Sequence, residues 1–213
     1  MKALTEYQQQ QLTQAFYRSN NVCAIAKDLI GKILITCFDN KVTGGRIVET
    51  EAYNGVVDKA SHAYGGRFTN RTAVMYKEGG QAYVYLCYGI HHLFNVVTGI
   101  EGNPHAVLIR GVEPVIGIPF MLERMKKLKP DPAVGRGPGN VAKALGLRVP
   151  HTGMDLCGTE IFIVDDGYQV KKSAILATPR IGVDYAAEDA LLPYRYIVKD
   201  HPQVTPHKLN KIG

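Results

Sequence analysis

Ile47-Val48-Glu49-Thr50-Glu51-Ala52-Tyr53 and, further along, Tyr83-Val84-Tyr85-Leu86-Cys87-Tyr88-Gly89 are the stretches whose reading decides the fold. β-Branched and aromatic residues fill both, a composition that suits a pleated, half-buried surface. Each is a predicted strand. Alternation places Glu49, Glu51 and Tyr53 on one face of the first and Thr50 and Ala52 on the other. A carboxylate two residues from an aromatic, both facing the same way, is unusual in a core strand. It suits a site where one acid acts beside a flat, stacked ligand. The strand alone favours a plainer reading, in which Glu49 and Glu51 line a solvent face, as charges on antiparallel strands commonly do.

Outward from these stretches, further strands are predicted near 33–38, 92–98, 105–112, 160–164 and 194–198, with the quoted pair spanning 46–53 and 82–88. Apolar stripes predict helices over 6–17 and 21–31, and others fall near 71–77, 115–127 and 139–146. Gly65-Gly66, Gly79-Gly80 and Gly89 punctuate the middle as turns. Strands separated by short turns between 33 and 112 argue for antiparallel pairing rather than βαβ units. The expectation is one α+β domain over residues 1–213.

The 213 residues suffice for one well-cored domain. Hydrophobic content of 46% and a mean hydropathy of −0.09 describe a globular chain rather than a disordered one. No run approaches the roughly 18 apolar residues of a membrane span. The start, Met1-Lys2-Ala3-Leu4-Thr5-Glu6, has no apolar secretory core, so a cytoplasmic protein with no membrane partner is expected. A net charge of +6 points equally to nucleic acid and to a solvated basic face. Cys23, Cys37, Cys87 and Cys157 are widely spaced without a C-x-x-C, so reduced, mostly buried thiols are expected.

Several residues could carry chemistry. Glu51 as a general base needs a partly desolvated pocket. Arg110 ends an apolar run, and a buried arginine there requires a carboxylate partner such as Glu51. Asn95, inside Phe94-Asn95-Val96-Val97, needs hydrogen bonds or a ligand. Tyr85 reads as core or pocket wall. Tyr88 abuts Gly89 at a predicted hairpin tip, where it either packs on a neighbouring loop or serves as a wedge. His62 precedes a glycine turn and either lines a site or caps the surface. Adjacent His91-His92 alternate in direction and cannot chelate one metal, so no metal and no cofactor are expected. Gly135-Arg136-Gly137-Pro138-Gly139-Asn140 is a helix-entry turn that matches neither phosphate-loop fingerprint. One active carboxylate, stacking aromatics, a tip tyrosine and basic charge together suggest extrusion of a base from a duplex.

Glu49-Thr50-Glu51-Ala52-Tyr53, Ser61-His62-Ala63-Tyr64-Gly65-Gly66-Arg67 and Tyr83 to Gly89 closely resemble the alkyladenine (3-methyladenine) DNA glycosylases of the mammalian and Bacillus type. Val107 to Pro114, Gly137-Pro138-Gly139 and Pro179-Arg180-Ile181-Gly182-Val183 continue the match in order, over roughly residues 20 to 205. The resemblance implies a compact mixed domain with a curved antiparallel sheet flanked by helices. It also implies a monofunctional, metal-free and cofactor-free hydrolase of base excision repair. This would be a monomer acting on double-stranded DNA that contains damaged purines: 3-methyladenine, 7-methylguanine, hypoxanthine or ethenoadenine.

Residue by residue, the resemblance makes Glu51 the acid that activates water, with Arg110 and the Ile181 carbonyl holding that water. Tyr53 would stack on one face of the flipped base and His62 and Tyr85 on the other, with Leu108 and Ile181 completing the pocket. The His62 N–H would read the base edge, Asn95 would exclude the guanine 2-amino group, and Tyr88 would intercalate. The chain departs from the pattern in three ways: it lacks the long N-terminal extension of mammalian members, places His91-His92 after the tip, and contains no Trp. A damage-binding module that does not cut, and an RNA-binding or RNA-modifying protein, are the rival readings.

Overall fold

The computed structural model describes residues 4–211; Met1 to Ala3 of the N-terminal run, and Ile212 and Gly213, lie outside the described residues. Eight strands form one open sheet in which every pairing is antiparallel. They are β1 (Ile33–Phe38), β2 (Lys41–Tyr53), β3 (Ala82–Cys87), β4 (His91–Thr98), β5 (His105–Ile116), β6 (Ile161–Val164), β7 (Ile175–Thr178) and β8 (Arg195–Val198). The main path runs β3-β4-β5-β2-β1-β6, and β8 joins β2 to β7. Strand β2 organises the sheet. Strand β5 pairs along one edge of it, while β1 takes Lys41 to Arg46 and β8 takes Glu49 to Glu51 on the other.

Among the described residues five α-helices accompany the sheet: α1 (Leu4–Gln8), α2 (Gln14–Tyr17), α3 (Val22–Asp28), α4 (Ile118–Met125) and α5 (Pro138–Leu145). Ile25 of α3, Met121 of α4 and Val141 and Leu145 of α5 share one buried cluster with Ile47, Phe94, Val107 and Ile109 of the sheet. Each fully buried aliphatic side chain of this kind contributes about 2 kcal/mol. This layer leaves the opposite face of the central strands for other work. A bulge in β2 sharpens the division. The register shifts between Ile47 and Glu49, so Val48 is the extra residue. Ile47, Thr50 and Ala52 face the helices, with the Thr50 hydroxyl donating to the Ala26 carbonyl at 2.8 Å. Val48 packs beneath Ile197 and Val204 instead.

The α+β expectation stands, and several boundaries do not. The helix expected over 6–17 breaks between α1 and α2. There Gln11 bridges to Val164, and its side-chain amide donates to the carbonyls of Leu156 and Gly158, so tertiary hydrogen bonds outweigh the apolar stripe. Strand β2 begins five residues early, straight through Gly44-Gly45. Glycine there is a packing requirement, since a Cβ on Gly45 would lie 2.6 Å from Val112 Cγ2. The helix expected from 115 begins at Ile118, because β5 runs to Ile116 and Gly117 turns the chain at φ +66° against the Val42 carbonyl. Residues 73–76 form only a 3-10 turn, and the short, half-exposed edge strand β7 was not foreseen. The four cysteines are free, as expected, and partly buried, with Cys23, Cys37 and Cys157 packed against core clusters.

Candidate active site

Register builds the site. Tyr83 of β3 pairs with Asn95 of β4, Asn95 with Leu108 of β5, Leu108 with Glu51 of β2, and Glu51 with Arg195 of β8. Cross-strand partners share a face. One transverse row therefore carries these side chains on the side away from α3 and α5.

Glu51 is completely buried in this row. Its Oε1 accepts the Ile181 N–H at 2.8 Å. Its Oε2 accepts the Tyr53 hydroxyl at 2.8 Å and Arg110 Nη1 at 3.3 Å. Burial and the adjacent Glu51 charge push the Tyr53 phenol well up, so it keeps its proton and donates. Burial opposes the Arg110 cation, but Glu51 and Glu49 overcome it and hold the guanidinium charged.

Glu49 corrects the solvent-face reading, because it too is 0% exposed. Its Oε1 accepts Arg110 Nε at 3.1 Å and Arg195 Nε at 2.7 Å. Its Oε2 accepts both the N–H and the hydroxyl of Thr205, each at 2.8 Å. Burial works against this carboxylate, yet the two arginines and the Thr205 N–H bring its pKa below the ordinary value.

A cleft of about 560 Å3 opens over the row, with Tyr53, His62, Tyr85, Leu108, Arg110 and Ile181 in its wall. Asn95 lies in a recess of about 40 Å3 that shares Tyr53, His62 and Tyr85 with the cleft. The amide of Asn95 donates to the Tyr83 carbonyl at 3.1 Å, which leaves its side-chain oxygen facing the recess. His62 and Tyr85 meet edge to face at 4.7 Å between centroids. Burial, then Arg71 and Arg67, lower the His62 pKa to about 4, so the ring is neutral at pH 7.

At the cleft rim, Tyr88 tops the β3–β4 hairpin. It is 91% exposed and stands at φ +49°, followed by Gly89 at φ +72°. The neighbouring-loop alternative for Tyr88 is thereby removed. A non-glycine residue in the left-handed region is uncommon and costs on the order of 1 kcal/mol. Gly137 to Asn140, at the start of α5, form the facing rim.

Residues 15–202 match the sequence model of the methylpurine-DNA glycosylase family. The chain belongs to that family. Relatives named "Putative 3-methyladenine DNA glycosylase" include one from Chlamydia felis, 44% identical over 88% of this chain and 95% of its own. Another, from Desulfitobacterium hafniense, is 39% identical over 91% and 98%. A third, from Bacillus cereus, is 41% identical over 92% and 98%. Members of the methylpurine-DNA glycosylase family are hydrolases of the N-glycosidic bond in DNA, and this chain is one of them.

For a methylpurine-DNA glycosylase, the placements are informative. Tyr53, His62, Tyr85, Tyr88, Leu108, Arg110 and Ile181 line one cleft, Asn95 lines the adjoining recess, and the buried Glu51 is bonded to the cleft residues Tyr53 and Arg110, whereas His92 and Arg136 lie elsewhere. Ile181 reaches Glu51 through its N–H. Sequence reading missed the scaffold behind Ile181. Arg180, buried, clasps Asp58 through both Nη atoms at 2.5 and 2.8 Å, and its guanidinium lies 4.9 Å from the Tyr53 ring centroid. Its adjacency to Ile181 in the Pro179–Val183 motif was the available signal. Tyr185, in the walls of both cavities, and Arg71 had none.

Proposed function

We propose that this glycosylase removes alkylated and deaminated purines, among them 3-methyladenine, 7-methylguanine, hypoxanthine and ethenoadenine, by a Glu51-activated water, leaving an abasic site. The observation that carries the reading is a fully buried carboxylate, oriented by Arg110, the Ile181 N–H and the Tyr53 hydroxyl, beneath an aromatic cleft that ends in an exposed tyrosine. A carboxylate has about four acceptor positions, so Glu51, with three occupied, retains one on Oε1 beside Ile181. Water placed there loses its proton to Glu51 as it attacks C1′. The same negative charge stabilises the oxocarbenium-like sugar. Arg110 orients Glu51 for both tasks.

The flipped base stacks between Tyr53 and the His62–Tyr85 pair, with Leu108 and Ile181 beneath it and Asn95 at its edge, where it crowds out a guanine 2-amino group. Tyr88 fills the vacated stack, offsetting part of the few kcal/mol of extrusion. Cationic purines leave without protonation. For neutral ones the neutral His62 is no acid at pH 7, so their departure rests on Glu51 and on the hydrogen bonds made in the cleft. In this reading residues 1–213 act as one domain and as a cytoplasmic monomer on double-stranded DNA, which the net charge of +6 supports. No metal or cofactor takes part.

The test is release of free base from duplexes carrying each lesion, with wild type beside Glu51→Gln. Wild type is expected to release base and the variant to lose nearly all of it. Lesion binding without an abasic product in the wild type would sink the reading in favour of a damage-binding module.

A further inference from the structure

Arg71 occupies a position that the proposed chemistry does not use. It is exposed, it lines the cleft, and its guanidinium is committed to the aromatic wall. Arg71 Nη2 lies 3.2 Å from His62 Nε2, Arg71 Nε donates to the Tyr83 hydroxyl at 3.3 Å, and the guanidinium carbon sits 4.8 Å from the Tyr85 ring centroid. No carboxylate is paired with it among the described residues. The cation is thus an uncompensated charge on one wall of the base pocket.

The donor inventory fixes what this does to the wall. A guanidinium only donates, so His62 Nε2 must accept. A neutral imidazole has one N–H, which is then on Nδ1 and donates to the Tyr83 hydroxyl oxygen at 2.8 Å. The His62 lone pair is capped by positive charge, and Tyr85 already holds a cation against its ring. Electron-rich aromatic faces ordinarily attract a cationic ligand. Here that attraction is already taken up by a residue of the protein.

We infer that Arg71 biases this enzyme against cationic alkylpurines and toward neutral lesions, by holding a fixed positive charge against the His62–Tyr85 wall. The inference rests on the base-flipping reading above. A base stacked about 3.5 Å from that wall lies within about 8 Å of the guanidinium, where two unit charges near a protein surface change an equilibrium by roughly threefold to thirtyfold. The bias opposes the intrinsic chemistry, since the cationic bases are the better leaving groups. Arg71 acts through the wall as a specificity residue and takes no part in bond cleavage.

The experiment measures single-turnover release of 7-methylguanine, a cation, and hypoxanthine, a neutral base, from matched duplexes by wild type, Arg71→Gln and Arg71→Lys. Arg71→Gln is expected to raise the 7-methylguanine to hypoxanthine rate ratio about fivefold, and Arg71→Lys, which keeps the charge, to stay within twofold of wild type. The His62 titration, followed by NMR of the ring, is expected to move up from about 4 in Arg71→Gln. An equal fall of both rates would make Arg71 a phosphate anchor and overturn the inference, as would an unchanged ratio. A wild type that releases neither base would instead bring down the glycosylase chemistry itself, so the two failures are distinguishable.

Discussion

Glu49 and Glu51 lie two residues apart on one strand, are equally buried, and share Arg110, yet their surroundings differ in one respect. Four donors converge on Glu49, from Arg110, Arg195 and twice from Thr205, which fills a carboxylate. Three converge on Glu51, which leaves one acceptor position unfilled. A saturated carboxylate is a structural tie between β2, β5, β8 and the C-terminal segment. An unsaturated one, held as firmly, is a base awaiting a proton. The pair teaches that burial and charge do not separate a scaffold residue from a reactive one; the count of unfilled lone pairs does.

The sharpest way to break this comparison is to neutralise each acid in turn. Glu51→Gln should cut base release by about 10²–10⁴-fold, the usual span for loss of a general base, with melting affected far less. Glu49→Gln should do the reverse in kind. It leaves Arg195, 0% exposed, without its carboxylate, and removing one partner of a buried ion pair destabilises by about 3–5 kcal/mol, readable in urea unfolding. If Glu49→Gln unfolds like wild type while losing all release, the assignment of the two roles is inverted.

Acid titration sharpens the same contrast. The folded pKa of Glu49 lies below the ordinary glutamate value of 4.5, so its contribution to stability is fully present above pH 4.5. That contribution is lost as pH falls through the folded value, because the unfolded chain takes up the proton first. Wild type should therefore lose stability more steeply than Glu49→Gln below pH 4.5, measured by unfolding at a series of pH values. His62 acts in a separate window. Its pKa of about 4 against 6.5 makes the unfolded chain the better proton binder between those values, so stability rises with pH there.

The smallest effect concerns the rim. Tyr88→Gly relieves the positive φ and removes an almost fully exposed ring, so melting should stay level or rise by the equivalent of about 1 kcal/mol. Lesion capture, measured by binding to a hypoxanthine duplex, should weaken roughly tenfold as the wedge is lost. Equal binding by both proteins would leave the strained tyrosine without a purpose.

Much of this was legible in the chain. Strands β1, β3 and β4 were read nearly to the residue, because alternating β-branched and aromatic residues leave little else to build. The partnership of Arg110 with a carboxylate was legible from the cost of burying a lone guanidinium. The helix over 6–17 was misread because Gln11 satisfies backbone carbonyls of Leu156 and Gly158, a demand invisible within any local window. Glu49 was misread for a similar reason. Its donors Arg195 and Thr205 lie far along the chain, and nothing near residue 49 announces them.

By itself the sequence determined which residues face together on each strand, since side-chain alternation follows from backbone geometry, and which residue types were available for stacking and proton transfer. Only the tertiary structure decided which strands lie side by side, and so that Tyr83, Asn95, Leu108, Glu51 and Arg195 form one row. It also decided which of two neighbouring glutamates was left with an open lone pair. Pairing between distant strands is set by the summed fit of core and hydrogen-bond register over the whole sheet, and a bulge at Val48 shifts that register by one residue.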